Sequence, residues 1–373
     1  MTAHILYTYY LNAQGTEMTI GGVQTYITNL VELFNDLGWQ VIIYQQADSD
    51  FHLSFGKVNV IGVKGRCDRG NVIGQRLFDR CKVNANPSAD IILFGTDTIN
   101  VPCPGFKSIS IQHGIYWDIP RQTSLKAGVF FKGFITKAYK AWKEVNRVSF
   151  VDTLVCVDYN FINWYRALVP FSQARMKAIM NFTVIPSSYT IQKPQNVINI
   201  IFARRLVPYR GTRIFAEAIL RVLKQYEGVH VTIAGNGPDE RWLKDIFNET
   251  SNVEFISYSS EESLKIHANK HIAIVPTVGS EGTSLSLLEA MACGCAVICT
   301  NVGGMTNIVQ NGYNGIMIDP TVESLYDALV KLLNDSALRD YIGKNGRDMV
   351  IKSFSKERWR EEWSKLIEEV KSA

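Results

Sequence analysis

Long hydrophobic runs, paired cysteines and a strong excess of one charge are missing from this sequence, and each absence excludes a class of protein. No run approaches the roughly 18 apolar residues of a membrane-spanning helix. The seven cysteines include no C-x-x-C pair, which argues against a disulfide framework. The net charge of +4 is weak for a nucleic-acid-binding protein, so no nucleic-acid partner is expected. The first ten residues do not resemble a signal peptide, so a cytoplasmic location is expected.

The remaining composition is that of a folded α/β protein. Hydrophobic residues make up 46% and charged residues 20% of the 373 positions, which excludes a largely disordered chain. Short β-branched runs alternate with helical patterns in both halves, as is typical of parallel sheets covered on both faces. The length predicts two domains, 1–185 and 186–353, and the alternating pattern predicts that each is doubly wound and Rossmann-like. A C-terminal helix at about 354–373 is expected to pack back on the first domain. A polar stretch with two prolines, 185–194, marks the boundary.

The most informative segment follows the predicted strand 272–275. It reads P-T-V-G-S-E-G-T-S-L-S-L-L-E from Pro276 to Glu289, which is a small-residue loop leading into a helix. Free backbone N–H groups and the helix dipole make such a place an anion site. Glu281 and Glu289 could accept hydrogen bonds from hydroxyls on one polyol ligand. Two structural alternatives remain open: Ser286–Glu289 also matches a capping box, and Glu281 could be a solvated loop carboxylate.

Four segments, in order along nearly the whole chain, resemble the retaining family-4 glycosyltransferases, which have the GT-B fold. Residues 281–299 resemble the family's E-x7-E signature, and 202–211, F-A-R-R-L-V-P-Y-R-G, resembles its G-R-L-x-x-x-K-G segment. The glycine pair at 21–22 precedes the first helix, and His113 with its following glycine ends a predicted strand. The resemblance implies a GT-B protein made of two Rossmann-like domains facing a central cleft.

The resemblance also implies an activity, the transfer of a sugar from a UDP- or GDP-sugar to a glycan or lipid-linked acceptor with retained anomeric configuration. Surface polysaccharide or lipopolysaccharide assembly is the implied pathway. In the family's pattern Glu289 holds the ribose, Glu281 holds the donor sugar, His113 lies near the reacting carbon, and Arg205 and Arg210 bind the diphosphate. The implied catalytic residues are His113, Arg205, Arg210 and Glu281, and the implied nucleotide-sugar-binding residues are Gly21, Gly22, Gly282, Thr283, Ser284, Leu285 and Glu289.

Two positions depart from the family's pattern. Arg204 stands where the family has its first glycine, and Arg210 stands where it has lysine. Arginine is a forked donor that suits diphosphate oxygens, so the second change preserves the chemistry. The first change leaves Arg204 without an assigned role.

Neither metal nor another cofactor is expected. Asp48 and Asp50 form a D-x-D pattern that could hold Mg²⁺, but they lie in a polar stretch after the second strand and are interpreted as a loop. Cys293, Cys295 and Cys299 lack a fourth ligand and run into an apolar strand, so they are expected to fill the core. The arginines and backbone amides would neutralise the diphosphate instead.

Residues 121–147 carry seven Lys and Arg against one Glu, with aromatic residues interleaved. A helix with lysines on one side and aromatics on the other suits an anionic membrane surface, which makes peripheral attachment to the inner face of the membrane the expectation. The alternative is an ordinary amphipathic helix with a charged solvent face.

Two other functions remain open on the same sequence. A nucleotide-sugar 2-epimerase would convert the donor without an acceptor, and a non-catalytic sensor would bind the donor without turnover. The base, the sugar, the acceptor, the linkage and the oligomeric state are not determined by the sequence.

Overall fold

The structure is a computed structural model that describes residues 1–19, 21–119, 127–169, 174–187 and 193–372, without the side chains of 127–132. It divides into two compact units. Unit 1 comprises the described residues of 1–113, 124–179 and 360–373, and unit 2 those of 114–123 and 180–359. The main division thus falls after Ile179, a few residues before the boundary placed at 185 from the sequence.

Strands and helices alternate through both units. The strands are β1 Thr2–Leu6, β2 Gln40–Ala47, β3 Phe51–Phe55, β4 Val58–Lys64, β5 Ile91–Phe94, β6 Lys107–Gln112, β7 Thr153–Cys156, β8 Arg175–Ala178, β9 Ile198–Ala203, β10 Val229–Ala234, β11 Val253–Ile256, β12 Ile272–Val275, β13 Ala296–Thr300 and β14 Ile316–Ile318. The helices are α1 Gly22–Asp36, α2 Gly70–Cys81, α3 Ala127–Val148, α4 Tyr159–Leu168, α5 Thr212–Gln225, α6 Glu240–Ile246, α7 Ser263–His267, α8 Leu285–Ala292, α9 Val322–Asn334, α10 Ser336–Ser353 and α11 Lys356–Ser372.

The sheet of unit 1 has the order β3-β4-β2-β1-β5-β6-β7-β8. Its strands pair in parallel except β3, which runs antiparallel to β4. The central strands are buried throughout, which explains their uninterrupted apolar sequences. Strand β3 did not appear in the sequence pattern because most of its residues are exposed at the edge of the sheet.

The sheet of unit 2 is entirely parallel, with the order β11-β10-β9-β12-β13-β14. This is the 3-2-1-4-5-6 order of dinucleotide-binding folds, with β9 as the first strand. Two clusters of buried apolar side chains, one on each face, are centred on β9, β12 and β13. The predicted α/β class with doubly wound sheets is confirmed.

Most of helix α11, from Arg360 onwards, belongs to unit 1. Trp363 is fully buried there, and its Nε1–H donates to the hydroxyl of Tyr26 in α1 at 2.8 Å. The two rings meet edge to face, with centroids 6.2 Å apart. The last helix of the chain is therefore held by a large buried ring and a satisfied polar atom.

Replacing Trp363 with alanine should lower the free energy of unfolding by about 3–5 kcal/mol, because a buried ring is lost and a cavity remains. The matched control is Trp142→Ala, since 61% of Trp142 is exposed; its effect should stay within about 0.5 kcal/mol. Urea unfolding followed by circular dichroism measures both, and similar losses for the two variants would contradict the packing of α11.

Candidate functional site

The strand order of unit 2 locates a candidate ligand site. Strands β9, β12 and β13 are neighbours that end at one edge, and the order reverses between β9 and β12. Ligands of open α/β sheets bind beyond the carboxyl ends of the strands at such a reversal. The segments that follow β9 and β12 are those that the sequence analysis selected.

At this edge the carboxylate of Glu281 is bound by two arginines. Arg204 Nη2 lies 2.5 Å from Glu281 Oε2, and Arg210 Nη1 donates to the same oxygen. The Thr277 hydroxyl donates to Glu281 Oε2 at 2.8 Å and accepts from Arg204 Nη1 at 2.6 Å. Two cations and one anion give the cluster a net positive charge, which suits an anionic ligand.

Glu281 is ionised in this setting. Burial alone tends to raise the pKa of Glu281, but the charges of Arg204 and Arg210 outweigh that effect and hold it below its usual range. The carboxylate therefore remains a strong hydrogen-bond acceptor at neutral pH. Because Glu281 is only 6% exposed, its interpretation as a solvated loop carboxylate is wrong.

Close backbone contacts fix the loops that carry the cluster. Gly211 has φ 84°, and a Cβ on it would lie 1.9 Å from the carbonyl oxygen of Pro276, so only glycine lets the turn of Arg210 reach the loop after β12. The N–H of Gly304 donates to the carbonyl of Glu281 at 3.0 Å, which ties the segment after β13 to the same loop.

The amino end of α8 adds backbone N–H groups beside the cluster. Ser284 is its N-cap residue, but its side chain makes no capping hydrogen bond. The Ser284 hydroxyl oxygen is buried and has no hydrogen-bond partner within the described chain. Asn181 Nδ2 donates to the carbonyl of Thr283 at 2.6 Å and so fixes the preceding loop. A helix start of this kind can bind a phosphate or a hydroxyl group.

Glu289 lies in the body of α8 and does not cap it. The helix begins at Leu285, and the Glu289 carboxylate instead accepts a hydrogen bond of 2.5 Å from the Ser263 hydroxyl in α7. The capping-box interpretation of Ser286–Glu289 is therefore wrong. Burial raises the pKa of Glu289, although the Ser263 hydrogen bond works against this.

His113, in unit 1, is held as a neutral acceptor. Its Nε2 lies 2.9 Å from the carbonyl oxygen of Gly95, so Nε2 carries the proton and Nδ1 presents a lone pair. The Tyr26 ring packs edge-on against the imidazole, with centroids 5.4 Å apart. Burial lowers the pKa of His113 to about 4, outweighing the carbonyl contact. His113 is thus uncharged at neutral pH.

Gly21 and Gly22 form the amino end of α1 in unit 1, where Gly21 is the extended N-cap residue. Gln24 Nε2 donates to the Thr19 hydroxyl at 2.9 Å and to the Tyr9 carbonyl at 3.2 Å, which fixes the start of the helix. Gly282 lies between Glu281 and the start of α8 in unit 2. Each implied glycine therefore lies at a helix start or in the loop before one.

The structure separates the two arginines that the resemblance implied for the diphosphate. Arg210 joins the Glu281 cluster, whereas Arg205 is exposed and makes no ion pair with any described residue. The sequence analysis did not identify Arg204 and Thr277 as members of the cluster, although Arg204 directly follows β9 and Thr277 lies two residues after the end of β12. It also missed Ser263, which no signal could have found because 26 positions separate it from Glu289.

The side chains considered for metal binding have other partners. Cys293, Cys295 and Cys299 are fully buried in the core of unit 2, as predicted. Asp48 pairs with Arg66 at 2.5 Å, and Asp50 accepts the backbone N–H of Lys64 at 2.7 Å. In the described ranges, no group of three or more His, Cys, Asp and Glu is placed to hold a metal ion.

Known proteins resemble this chain in sequence and in fold. Residues 187–349 match the family model described as glycosyl transferases group 1. Two uncharacterized glycosyltransferases of Methanocaldococcus jannaschii are 27% and 23% identical; the first match covers 48% of this chain and 46% of the relative, the second 91% and 92%. The capsular polysaccharide biosynthesis glycosyltransferase CapM of Staphylococcus aureus is 26% identical over 41% of each chain. The chain thus spans less than half the length of two of these three relatives.

Solved structures resemble the fold over nearly the whole chain. Sucrose-phosphate synthase from Thermosynechococcus elongatus has a TM-score of 0.77 at 16% identity and covers 99% of each chain. Anabaena HepE in complex with UDP-glucose has a TM-score of 0.71 at 14% identity and covers 99% of this chain and 100% of that chain. The protein therefore has the GT-B fold, and residues 187–349 match the glycosyl transferases group 1 model.

The pKa of His113 generates a pH prediction. The unfolded chain takes up a proton on this side chain near pH 6.5, and the folded chain does so only near 4. Stability that is present above pH 6.5 should therefore be lost as the pH falls towards 4. His113→Gln lacks this contribution, so its free energy of unfolding should fall less over the same interval.

Urea unfolding of both proteins at several pH values measures the difference. The buried His267, whose pKa burial also lowers to about 4, is present in both and cancels in the comparison. Parallel pH dependences would show that His113 is not held neutral.

Proposed function

We propose that this protein is a retaining glycosyltransferase of family 4 that transfers a sugar from a nucleoside-diphosphate sugar to a glycan or lipid-linked acceptor. The observation that carries the proposal is the positive Arg204–Glu281–Arg210 cluster at the strand reversal of the group 1 domain. HepE binds UDP-glucose on the same fold, and CapM acts in capsular polysaccharide biosynthesis. HepE supports a UDP-sugar as the donor, and CapM supports a role in surface polysaccharide assembly.

In this proposal the residues of unit 2 bind the donor. The ionised Glu281 accepts hydrogen bonds from sugar hydroxyls, and Glu289, positioned by Ser263, accepts them from the ribose. The charge that develops on the departing diphosphate is stabilised by Arg210, Arg205 and the backbone N–H groups of 282–285, so no metal is required.

Unit 1 supplies uncharged hydrogen-bonding groups in the same proposal. The proposed role of His113 Nδ1 is to accept a hydrogen bond from the sugar without adding charge, and that of the Gly21 and Gly22 N–H groups is to donate hydrogen bonds to phosphate oxygens. Transfer occurs on the front face of the sugar, and the departing phosphate takes the acceptor proton.

The two glutamates should respond differently to the same substitution. Glu281→Gln should lower transfer about ten- to hundredfold and leave the affinity for UDP or GDP intact, because in the proposal the sugar is the part of the donor that Glu281 contacts. Glu289→Gln should lower the affinity for UDP or GDP, because the ribose that Glu289 binds is present in the nucleotide with or without the sugar.

Calorimetric titration with UDP and GDP, beside transfer assays with a panel of nucleotide sugars and EDTA, tests these expectations. Donor conversion without acceptor would indicate an epimerase, and donor binding without turnover would indicate a sensor. Equal nucleotide affinity in Glu289→Gln and wild type would contradict the ribose assignment, and EDTA-sensitive transfer would contradict metal independence.

The second part of the proposal concerns α3, which we infer binds an anionic membrane surface. Four large apolar residues of this helix are exposed by half or more: Phe134, Ile135, Tyr139 and Trp142. Their spacing places them on one face, and the rings of Tyr139 and Trp142 stack. Such a face is typical of helices that lie in a membrane interface.

The exposure of the other residues of the helix bears on this proposal. Lys137, Lys140 and Lys143 are partly exposed, and an ordinary amphipathic helix with a charged solvent face does not account for the large aromatic side chains that are exposed beside them. Arg147 is buried and pairs with Glu144 at 2.8 Å. Arg121 and Lys126, and the side chain of Lys132, lie outside the described residues. Among the helices that are described, none is long and apolar enough to cross a membrane.

Replacing Phe134, Tyr139 and Trp142 with serine should therefore lower the affinity of the protein for phosphatidylserine-containing vesicles by about tenfold or more, since the apolar contact of each ring with the membrane is lost. The matched control replaces Tyr313 and Tyr341, which are exposed on unit 2, with serine. Vesicle sedimentation at low and high salt measures both.

Binding that is equal for neutral and anionic vesicles would contradict the electrostatic contribution. A triple variant that changes oligomeric state in the absence of lipid would show instead that the aromatic face pairs with a second copy of the chain.

A further inference from the structure

Arg204 stands where the family pattern has a glycine, so the resemblance assigns it no role. The geometry of the cluster points to a role for it. We propose that Arg204 is the permanent counter-ion of Glu281, which leaves Arg210 free to move to the diphosphate of the donor. This inference rests on the proposed function, since it concerns how that donor site is charged. Arg204 is thus a positioning residue that acts through Glu281 and Arg210.

The two arginines differ in how firmly they are held. Only 5% of the Arg204 side chain is exposed, against 22% for Arg210. The Arg204 guanidinium uses separate nitrogens for Thr277 Oγ1 and Glu281 Oε2, at 2.6 and 2.5 Å. Thr277 is fixed in turn, because its carbonyl accepts the Thr300 hydroxyl at 2.5 Å. Arg204 therefore has fixed partners on two sides of its planar fork.

Arg210 is held more loosely at the rim of the cluster. Besides Glu281 it donates only to the carbonyl of Ser280, at 3.1 Å, among the described residues. Arg210 is the last residue of a short helical turn, Pro208–Arg210, and Gly211 follows it in the left-handed backbone conformation. A side chain with one ionic partner and partial exposure can change partners without unfolding its neighbours.

Charge balance explains why both arginines are needed. If Arg210 turned to a phosphate in a site without Arg204, the buried Glu281 carboxylate would lose its cation, and an unpaired buried charge is strongly unfavourable. With Arg204 in place, the carboxylate stays paired while Arg210 binds the ligand. Arg204 thereby lowers the free-energy cost of recruiting Arg210.

The test is a set of variants titrated calorimetrically with UDP, GDP and inorganic pyrophosphate, and with uridine and guanosine as phosphate-free probes. Arg204→Met should lower the affinity for the diphosphates about ten- to hundredfold and leave the affinity for the nucleosides unchanged. Arg204→Lys keeps the charge but not the forked guanidinium, so its diphosphate affinity should lie between those of wild type and Arg204→Met. Arg221→Met is the matched control, since Arg221 also pairs with a glutamate, Glu323, but on the exposed surface of α5.

The decisive variant is the double substitution Arg204→Met with Glu281→Gln. Removing the carboxylate charge releases Arg210, so the diphosphate affinity should return close to that of Glu281→Gln alone. A structural role of Arg204 would not produce this recovery. Should Arg204→Met fold poorly in a thermal melt, Arg204→Lys with and without Glu281→Gln carries the same comparison.

Two results would overturn the inference alone: wild-type diphosphate affinity in Arg204→Met, or a double variant that binds as weakly as Arg204→Met. Wild-type protein that binds neither UDP nor GDP would overturn the proposed function and this inference together, so the two failures are distinguishable.

Discussion

A buried carboxylate between two arginines determines the form of the candidate site. Glu281 can lie at the reversal of the unit 2 sheet only because Arg204 and Arg210 compensate its charge, since an isolated buried carboxylate would take up a proton instead. Glu281, in the loop after β12, joins this loop to two others, because its carbonyl accepts from Gly304 after β13 and its carboxylate accepts from Arg204 and Arg210 after β9. The loops after β9, β12 and β13 are therefore fixed to one another through this one side chain.

Charge is distributed differently in the two units. Unit 2 concentrates cations, a free helix start and an ionised carboxylate at one edge of its sheet. Unit 1 offers His113, which burial keeps neutral and which the Gly95 carbonyl fixes in one tautomer. Its helix α3 exposes the rings of Phe134, Tyr139 and Trp142. In the proposed reaction, unit 2 thus supplies the electrostatic stabilisation, and unit 1 supplies uncharged contacts.

The candidate site could be located from the sequence, but its internal pairing could not. Glu281, Arg210 and the small-residue loop before α8 follow strands whose apolar runs are plain in the sequence, and the carboxyl ends of parallel strands share an edge. The partners of those residues come from distant segments: Arg204 lies 77 positions from Glu281, and Ser263 lies 26 from Glu289. Local patterning predicted two faces for α3, but periodicity separates the faces of a helix without showing which one the protein covers.

The sequence by itself determined the α/β class, the parallel strands and the helix starts, because these depend on local runs of apolar residues and on glycine and serine between them. It also determined which residue types stand at the carboxyl ends of β9 and β12. Only the tertiary structure decided that Glu281 is ionised, that Glu289 is no helix cap, that His113 is neutral and that the aromatic face of α3 is exposed. Each of these depends on burial and on a partner brought from elsewhere in the chain, and desolvation and pairing of that kind leave no trace in local sequence.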